Sequence, residues 1–186
     1  MDLMQAIRHR RAVRAYKDRP LERATVEELL DAAIQAPSAM NAQPWAFYVV
    51  QEKALLKQWS DRAKVAFLAE APPADLPEPY RQILTDPAFN LFYDAPALIL
   101  ICAKPGGMVP AEDCSLAGQT LMLAAHGLGL GTCPIGFARV WLNRPEVKLE
   151  LGIPADYQPV LPIIVGYPRE TPAPRERRPP EILAWR

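Results

Sequence analysis

The sequence predicts a single α+β domain, and three observations carry that prediction. Apolar residues recur at helical spacing in several segments, short β-branched runs lie between them, and proline clusters fall in loops without splitting the chain into halves. The 186 residues suit one domain at roughly 100 to 200 residues per domain. With 50% hydrophobic and 23% charged residues, a disordered chain is excluded.

The elements follow in order along the chain. Asp2 stands three residues before Gln5, the spacing at which a capping acid and an amide satisfy the free N–H groups of a helix start reciprocally. Thr25 and Glu28 repeat that spacing, so a second helix is expected from Val26 to about Ala36. Its Val26, Leu29, Leu30, Ala33 and Ile34 share one face, and Pro37 stops it. Trp45 to Val50 and Pro96 to Cys102 read as strands, while Leu55 to Phe67 has helical spacing. Ser115 to Leu128 is apolar almost all round, as for a buried central helix or one held between a sheet and a partner subunit. The run Gly127 to Gly131 has the look of a dinucleotide fingerprint, but it follows a helix where that motif must follow a strand, and it reads as a helix stop and tight turn. Asn143 with Glu146 predicts the cap of a short helix ending at Gly152. Val160 to Tyr167 reads as a last strand, in which Pro162 favours an edge position or an interrupted ladder.

Composition narrows the function classes. No apolar run reaches the roughly 18 residues of a membrane span, and Met1 to Gln5 opens with an acidic residue and no signal-like stretch, so a cytoplasmic address is expected, with no membrane partner. Cys102, Cys114 and Cys133 are too few and too spread for a disulfide frame or a metal site, and are expected as reduced thiols in or near the core. Zero net charge argues against nucleic acid. Its distribution is uneven: residues 1–23 hold seven basic against three acidic residues, residues 169–186 five against three, and the middle nine against fifteen. Basic ends on an acidic body point to one localised anion site where the ends meet. Proline, 21 of 186 residues, is about twice its usual frequency, and gathers in a loop between helical stretches, Ala71 to Pro79, and an extended arm, Pro168 to Pro180.

The side chains available for chemistry are few. His9 sits among arginines and His126 on the apolar helix, where a satisfied core histidine is expected, so a Ser/His/Asp triad or a histidine-rich metal site lacks material. Arg10 and Arg14, four apart, face one way in either a helix or a strand, and repel unless an anion lies between them. Ala36 to Trp45 joins a helix to a strand through small residues and the amides of Asn41 and Gln43, which can read the edge of a heterocycle.

Taken together, Arg10-Arg11-Ala12-Val13-Arg14, Pro37-Ser38-Ala39-Met40-Asn41-Ala42-Gln43-Pro44-Trp45, Gly129-Leu130-Gly131-Thr132-Cys133-Pro134-Ile135-Gly136, Gly166-Tyr167-Pro168 and Arg175-Glu176-Arg177-Arg178-Pro179 resemble the FMN-dependent nitroreductase family, in order and from end to end. The resemblance implies an α+β fold with a central, mostly antiparallel sheet flanked by helices, in an intertwined homodimer with FMN sites built from both subunits. Arg10, Arg11 and Arg14 then match phosphate and ribityl contacts, with Ala12 where the family usually carries serine. Ser38, Ala39, Asn41 and Gln43 match the segment that reaches the flavin from the other subunit. Pro134, Ile135 and Gly136 match the turn over the reactive edge of the flavin, where a backbone N–H hydrogen-bonds the ring, and Arg175 and Arg177 match the terminal basic pair on the phosphate.

The implied activity is a ping-pong oxidoreduction in which NAD(P)H reduces FMN and a nitroaromatic or quinone-type acceptor takes the electrons, so no catalytic acid or base is required of the chain. Phe89, Phe92 or Tyr93 and the proline-rich loop are expected to wall the acceptor slot. Dehalogenating, flavin-fragmenting and peptide-oxidising enzymes share the fold, and a non-catalytic FMN carrier is the alternative outside enzymology.

Overall fold

A four-stranded antiparallel sheet in the order β1-β2-β4-β3 is built from β1 (Trp45–Val50), β2 (Ala97–Ala103), β3 (Gly131–Pro134) and β4 (Gln158–Gly166). The computed structural model describes residues 2–71, 73–170, 172–173 and 175–186. Every residue of β2 is buried, so the strand reads as a continuous apolar run whose alternation appears only in three dimensions. Leu98, Leu100 and Cys102 face one layer, formed by α3 (Lys53–Glu70), α6 (Arg139–Leu142) and α7 (Pro145–Leu151). Ala97, Ile99, Ile101 and Ala103 face the other, formed by α2 (Arg23–Ala33) and α5 (Pro110–Gly127). Each large side chain buried this way contributes about 1.5 to 3 kcal/mol. A Cβ on Gly118 would meet Leu161 at 2.2 Å, so the missing side chain lets α5 lie close on the sheet.

Several expectations are met and others corrected. The Asp2–Gln5 box closes α1 (Leu3–His9), with Gln5 N donating to Asp2 Oδ1 at 2.8 Å. Thr25, by contrast, caps nothing. The helix starts three residues earlier, after Glu22, because buried Leu21 fixes the chain's entry, and Val26 N already donates to Glu22 O. Asn143 caps no following helix either; it closes α6, donating from Nδ2 to Arg139 O and Pro159 O, and α7 follows Arg144 with Pro145 in its first turn. Of the helices and strands, β3 and α6 have no counterpart in the sequence reading, while α4 (Glu78–Thr85) is the helical stretch expected beyond the proline-rich loop and starts two residues inside it.

Pro162 lies in an interior strand, not at an edge. Its carbonyl accepts from Ile135 N at 2.8 Å on the β3 side. A residue's N–H and C=O point to the same side of a strand, so the missing donor falls just past the last paired residue of β3, where the ladder stops, as the interrupted-ladder expectation has it. A bulge between Ile101 and Cys102 leaves Val160 without a partner further along. The three cysteines are buried thiols, as expected. Among the described residues no helix is long and apolar enough to cross a membrane. Pro72 of the expected loop, and Thr171 and Pro174 of the expected arm, lie outside the described residues.

Candidate functional site

The first motif is placed by the free edge of β3. Arg10 ends α1, and the chain beyond runs beside the sheet: Val13 N donates to Thr132 O at 2.9 Å, Lys17 N to Tyr167 O at 2.8 Å, and Arg169 N to Ala15 O at 2.9 Å. Val13 and Tyr16 turn inward, Tyr16 donating its hydroxyl to Val13 O. Two glycines permit this docking. A Cβ on Gly131 would come within 2.7 Å of three Val13 atoms, and one on Gly166 within 2.8 Å of Pro96 and Tyr16.

The two basic ends meet, as the charge distribution implies. Arg10, Arg11, Ala12 and Arg14 from the first motif and Arg175 and Arg177 from the arm line one pocket of about 720 Å³, whose lining includes a single acid, Glu170. Among the described residues none of these arginines is ion-paired. Burial, then the neighbouring charges of Arg11 and Arg177, hold the Arg10 guanidinium below its ordinary pKa. An anion bound there relieves that crowding. Arg11 plays a different part: it donates to Arg8 O, Arg10 O and, at 3.5 Å, Arg175 O, tying the motif to the arm, while its Nε is buried without a partner.

Arg14 borders a second cavity, of about 670 Å³, lined by Phe67, Tyr80, Ile83, Phe89, Leu91, Tyr93 and the stretch Cys133 to Phe137. Its aromatic rings meet edge to face, Phe67 with Phe137 at 4.9 Å and Phe89 with Tyr93 at 5.3 Å. Burial pushes the Tyr93 hydroxyl and the Cys133 thiol up, so both stay protonated at neutral pH. Of the aromatics expected at a slot, Phe89 and Tyr93 reach it, whereas Phe92 is fully buried in the core. In the turn Pro134-Ile135-Gly136, proline has no N–H and that of Ile135 is engaged by Pro162 O, which leaves the Gly136 N–H as the turn's donor for a ligand.

The Ser38, Ala39, Asn41 and Gln43 segment lines neither cavity of its own chain. It folds on itself: Gln43 N donates to Ser38 Oγ, Gln43 Nε2 to Asn41 Oδ1, and Met40, Asn41 and Gln43 hold left-handed backbone at φ 53°, 55° and 48°. Such conformations cost energy in non-glycine residues and concentrate at functional segments. Its anchor is Asp113, which sequence reasoning missed. This carboxylate is 2% exposed in the first turn of α5, accepts from Ala39 N at 3.1 Å and keeps its other oxygen without a partner. No local signal marks it, since Glu112 beside it in the same turn is equally acidic and exposed.

His126 is not the satisfied core histidine expected. Its Nε2 is buried without a partner, and the ring lines a cavity of about 500 Å³ with His9, Arg10 and Arg11. Burial first, then Arg10, His9 and Arg11, hold the imidazole below the ordinary histidine range, so it is neutral at pH 7. Removing a positive neighbour must move it back up. In Arg10→Ala, the His126 ring signals followed by NMR are expected to titrate at higher pH than in the parent protein; an unchanged midpoint would show that burial alone sets it.

A basic pocket and an aromatic slot joined at one arginine define a class: a protein built to hold a flat ring that carries an anionic tail. The sequence profile of the Nitroreductase family matches residues 7–167, and the chain belongs to that family. It is 32% identical over 189 residues to a candidate NADH dehydrogenase/NAD(P)H nitroreductase of Methanothermobacter thermautotrophicus, covering 98% of this chain and 86% of the relative. To an iodotyrosine deiodinase of Thermotoga neapolitana it is 29% identical over 188 residues, covering 89% and 97%. A nitroreductase with bound FMN from Bacteroides fragilis has the same fold, with a TM-score of 0.83 at 25% identity over 100% of this chain and 98% of that one.

Proposed function

We propose that the chain is an FMN-dependent oxidoreductase that passes electrons from NAD(P)H to nitroaromatic or quinone-type acceptors, working as a cytoplasmic homodimer. The observation that carries this reading is the junction at Arg14 between the unpaired arginine pocket and the aromatic slot. The donor set fits FMN: Arg10 and Arg177 suit a phosphate, the orphaned Arg11 Nε marks a polar lining in want of an acceptor, and the Gly136 N–H is the donor its turn leaves for a ring. When bound, FMN supplies the two-electron chemistry between donor and acceptor. The chain's own part is to neutralise the tail with arginines, to orient the ring by the Pro134–Gly136 turn, and to exclude water with Phe67, Phe89, Tyr93 and Phe137. No side chain is called on to move a proton. Denatured protein is expected to release a flavin with the mass of FMN, and the holoenzyme to oxidise NADH or NADPH with a quinone or nitrobenzene; recovery of no flavin, or of FAD, would count against the reading, and a flavin-loaded protein without turnover would make it a carrier. Reductive dehalogenation is the second reading, supported by the likeness to iodotyrosine deiodinase, and iodide release from 3-iodotyrosine selects it.

Support for the homodimer is the apolar surface left open on one chain. Leu3, Met4 and Ile7 of α1, Leu116 of α5, and Ile182, Leu183 and Trp185 of the arm are exposed, Leu183 and Trp185 by 91% and 88%, apolar side chains that a partner subunit would cover. The strained Ser38–Gln43 segment, which lines neither cavity of its own chain, is then free to complete the partner's. Light scattering is expected to give twice 20.7 kDa, and a stable flavin-loaded monomer is the outcome that would defeat this assignment.

A further inference from the structure

We propose that Lys64 and Ser60 are positioning residues for the acceptor: together they fasten the segment 86–91 to α3 and so set the width of the aromatic slot. This rests on reading that cavity as the acceptor site. Lys64 lies in the middle of the protein with only 7% of its side chain exposed. A buried ammonium is costly unless its donors are all engaged. Here Nζ donates to Phe89 O at 2.6 Å, Asp86 O at 3.1 Å and Pro87 O at 3.3 Å, with the Asp61 carboxylate 3.4 Å away. Three donors thus meet three main-chain carbonyls of one short segment.

Ser60, one turn earlier on the same face of α3 and fully buried, accepts from Leu91 N at 2.8 Å. The two side chains grip the chain on both sides of Phe89, a ring of the slot's wall. The same segment begins where α4 ends, and α4 brings Tyr80 and Ile83 to that wall. The ammonium therefore sits just past the C-terminus of α4, where a cation is favoured. On the far side Asn90 locks the next turn, its Nδ2 donating to Asp94 Oδ1 and its Oδ1 accepting from Phe92 N, and holds Tyr93 and Asp94 at φ 53° and 52°. A wall with this much dedicated bonding is shaped to a geometry and not merely closed.

A plain capping role for Lys64 and a positioning role separate on acceptor binding. The test uses FMN-loaded Lys64→Met and Ser60→Ala. Expected in both are faster hydrogen exchange at the Phe89 and Leu91 amides and a nitrobenzene Kd, read from the perturbed flavin absorbance, raised by about fivefold or more, the order of one lost hydrogen bond. In turnover the acceptor KM rises more than kcat falls, while the FMN Kd changes by less than about twofold, well under the tenfold that 1.4 kcal/mol represents. A lowered Tm with unchanged nitrobenzene Kd and KM overturns the proposal. Ser60→Ala, which leaves every Lys64 bond in place, decides the matter if Lys64→Met does not fold. A wild-type protein that binds FMN but no nitrobenzene overturns the acceptor-site reading itself, and this proposal with it.

Discussion

Arg10→Ala and Arg177→Ala should each weaken FMN binding by at least about tenfold while leaving riboflavin binding almost unchanged. Both guanidiniums line the pocket formed by the two basic ends, and neither is ion-paired among the described residues. A hydrogen bond to a charged group contributes about 1.5 to 3 kcal/mol, and 1.4 kcal/mol is tenfold in affinity, so losing one such contact is visible. Riboflavin lacks the phosphate and supplies the control. Arg11 should behave otherwise, because its guanidinium is spent on the carbonyls of Arg8, Arg10 and Arg175: its removal loosens the pocket's frame and should weaken both flavins. Fluorescence titrations of the three variants decide between these outcomes, and equal loss for FMN and riboflavin in Arg10→Ala would reduce Arg10 to a structural residue.

Gly131→Ala should be strongly damaging although it adds only one methyl group. The added carbon would lie 2.6 to 2.7 Å from three atoms of the β-branched Val13, a side chain with little rotamer freedom to yield. The clash can be relieved only by moving the 12–16 segment off β3, which sacrifices the Val13–Thr132 hydrogen bond and displaces Arg14 from its place between the two cavities. Overpacking of this kind costs about 1 to 3 kcal/mol. A lower Tm together with loss of FMN binding is expected by calorimetry and titration. Gly136→Ala is the comparison, since open space surrounds a Cβ there, and it should leave Tm close to that of the parent.

How much of this was legible in the sequence depends on where each signal resides. The amphipathic stripe of α2 and the β-branched runs of β1 and β2 are local patterns, and they read correctly to within a few residues. β3 was hidden because Gly-Thr-Cys-Pro has neither alternation nor length, and it is a strand only because β4 pairs with it. The proline-rich flank hid only the start of α4, because Pro77 caps it and Pro79 lies in its first turn, where helices tolerate proline. The caps at Thr25 and Asn143 failed since spacing alone cannot say where tertiary contacts, here buried Leu21 and the Pro159 carbonyl, start or stop a helix. In the site, the charge asymmetry brought the arginines together correctly, because like charges gathered at two chain ends are tolerated where an anion can lie between them. Lys64 and Asp113 were invisible, because a charged residue is marked as buried only by what folds over it.

The proline within β4 has a consequence for the shape of the site. Ile135 and Pro162 stand where two strands would exchange a pair of hydrogen bonds, but only one is made, from Ile135 N to Pro162 O. The Ile135 carbonyl, offered nothing in return, accepts instead from Ala138 N and begins the turn that leads into α6. The stretch beneath the slot is thus diverted from sheet to helix by an omission in the neighbouring strand. A residue that lines neither cavity thus shapes, through a bond it cannot return, the turn that lines one.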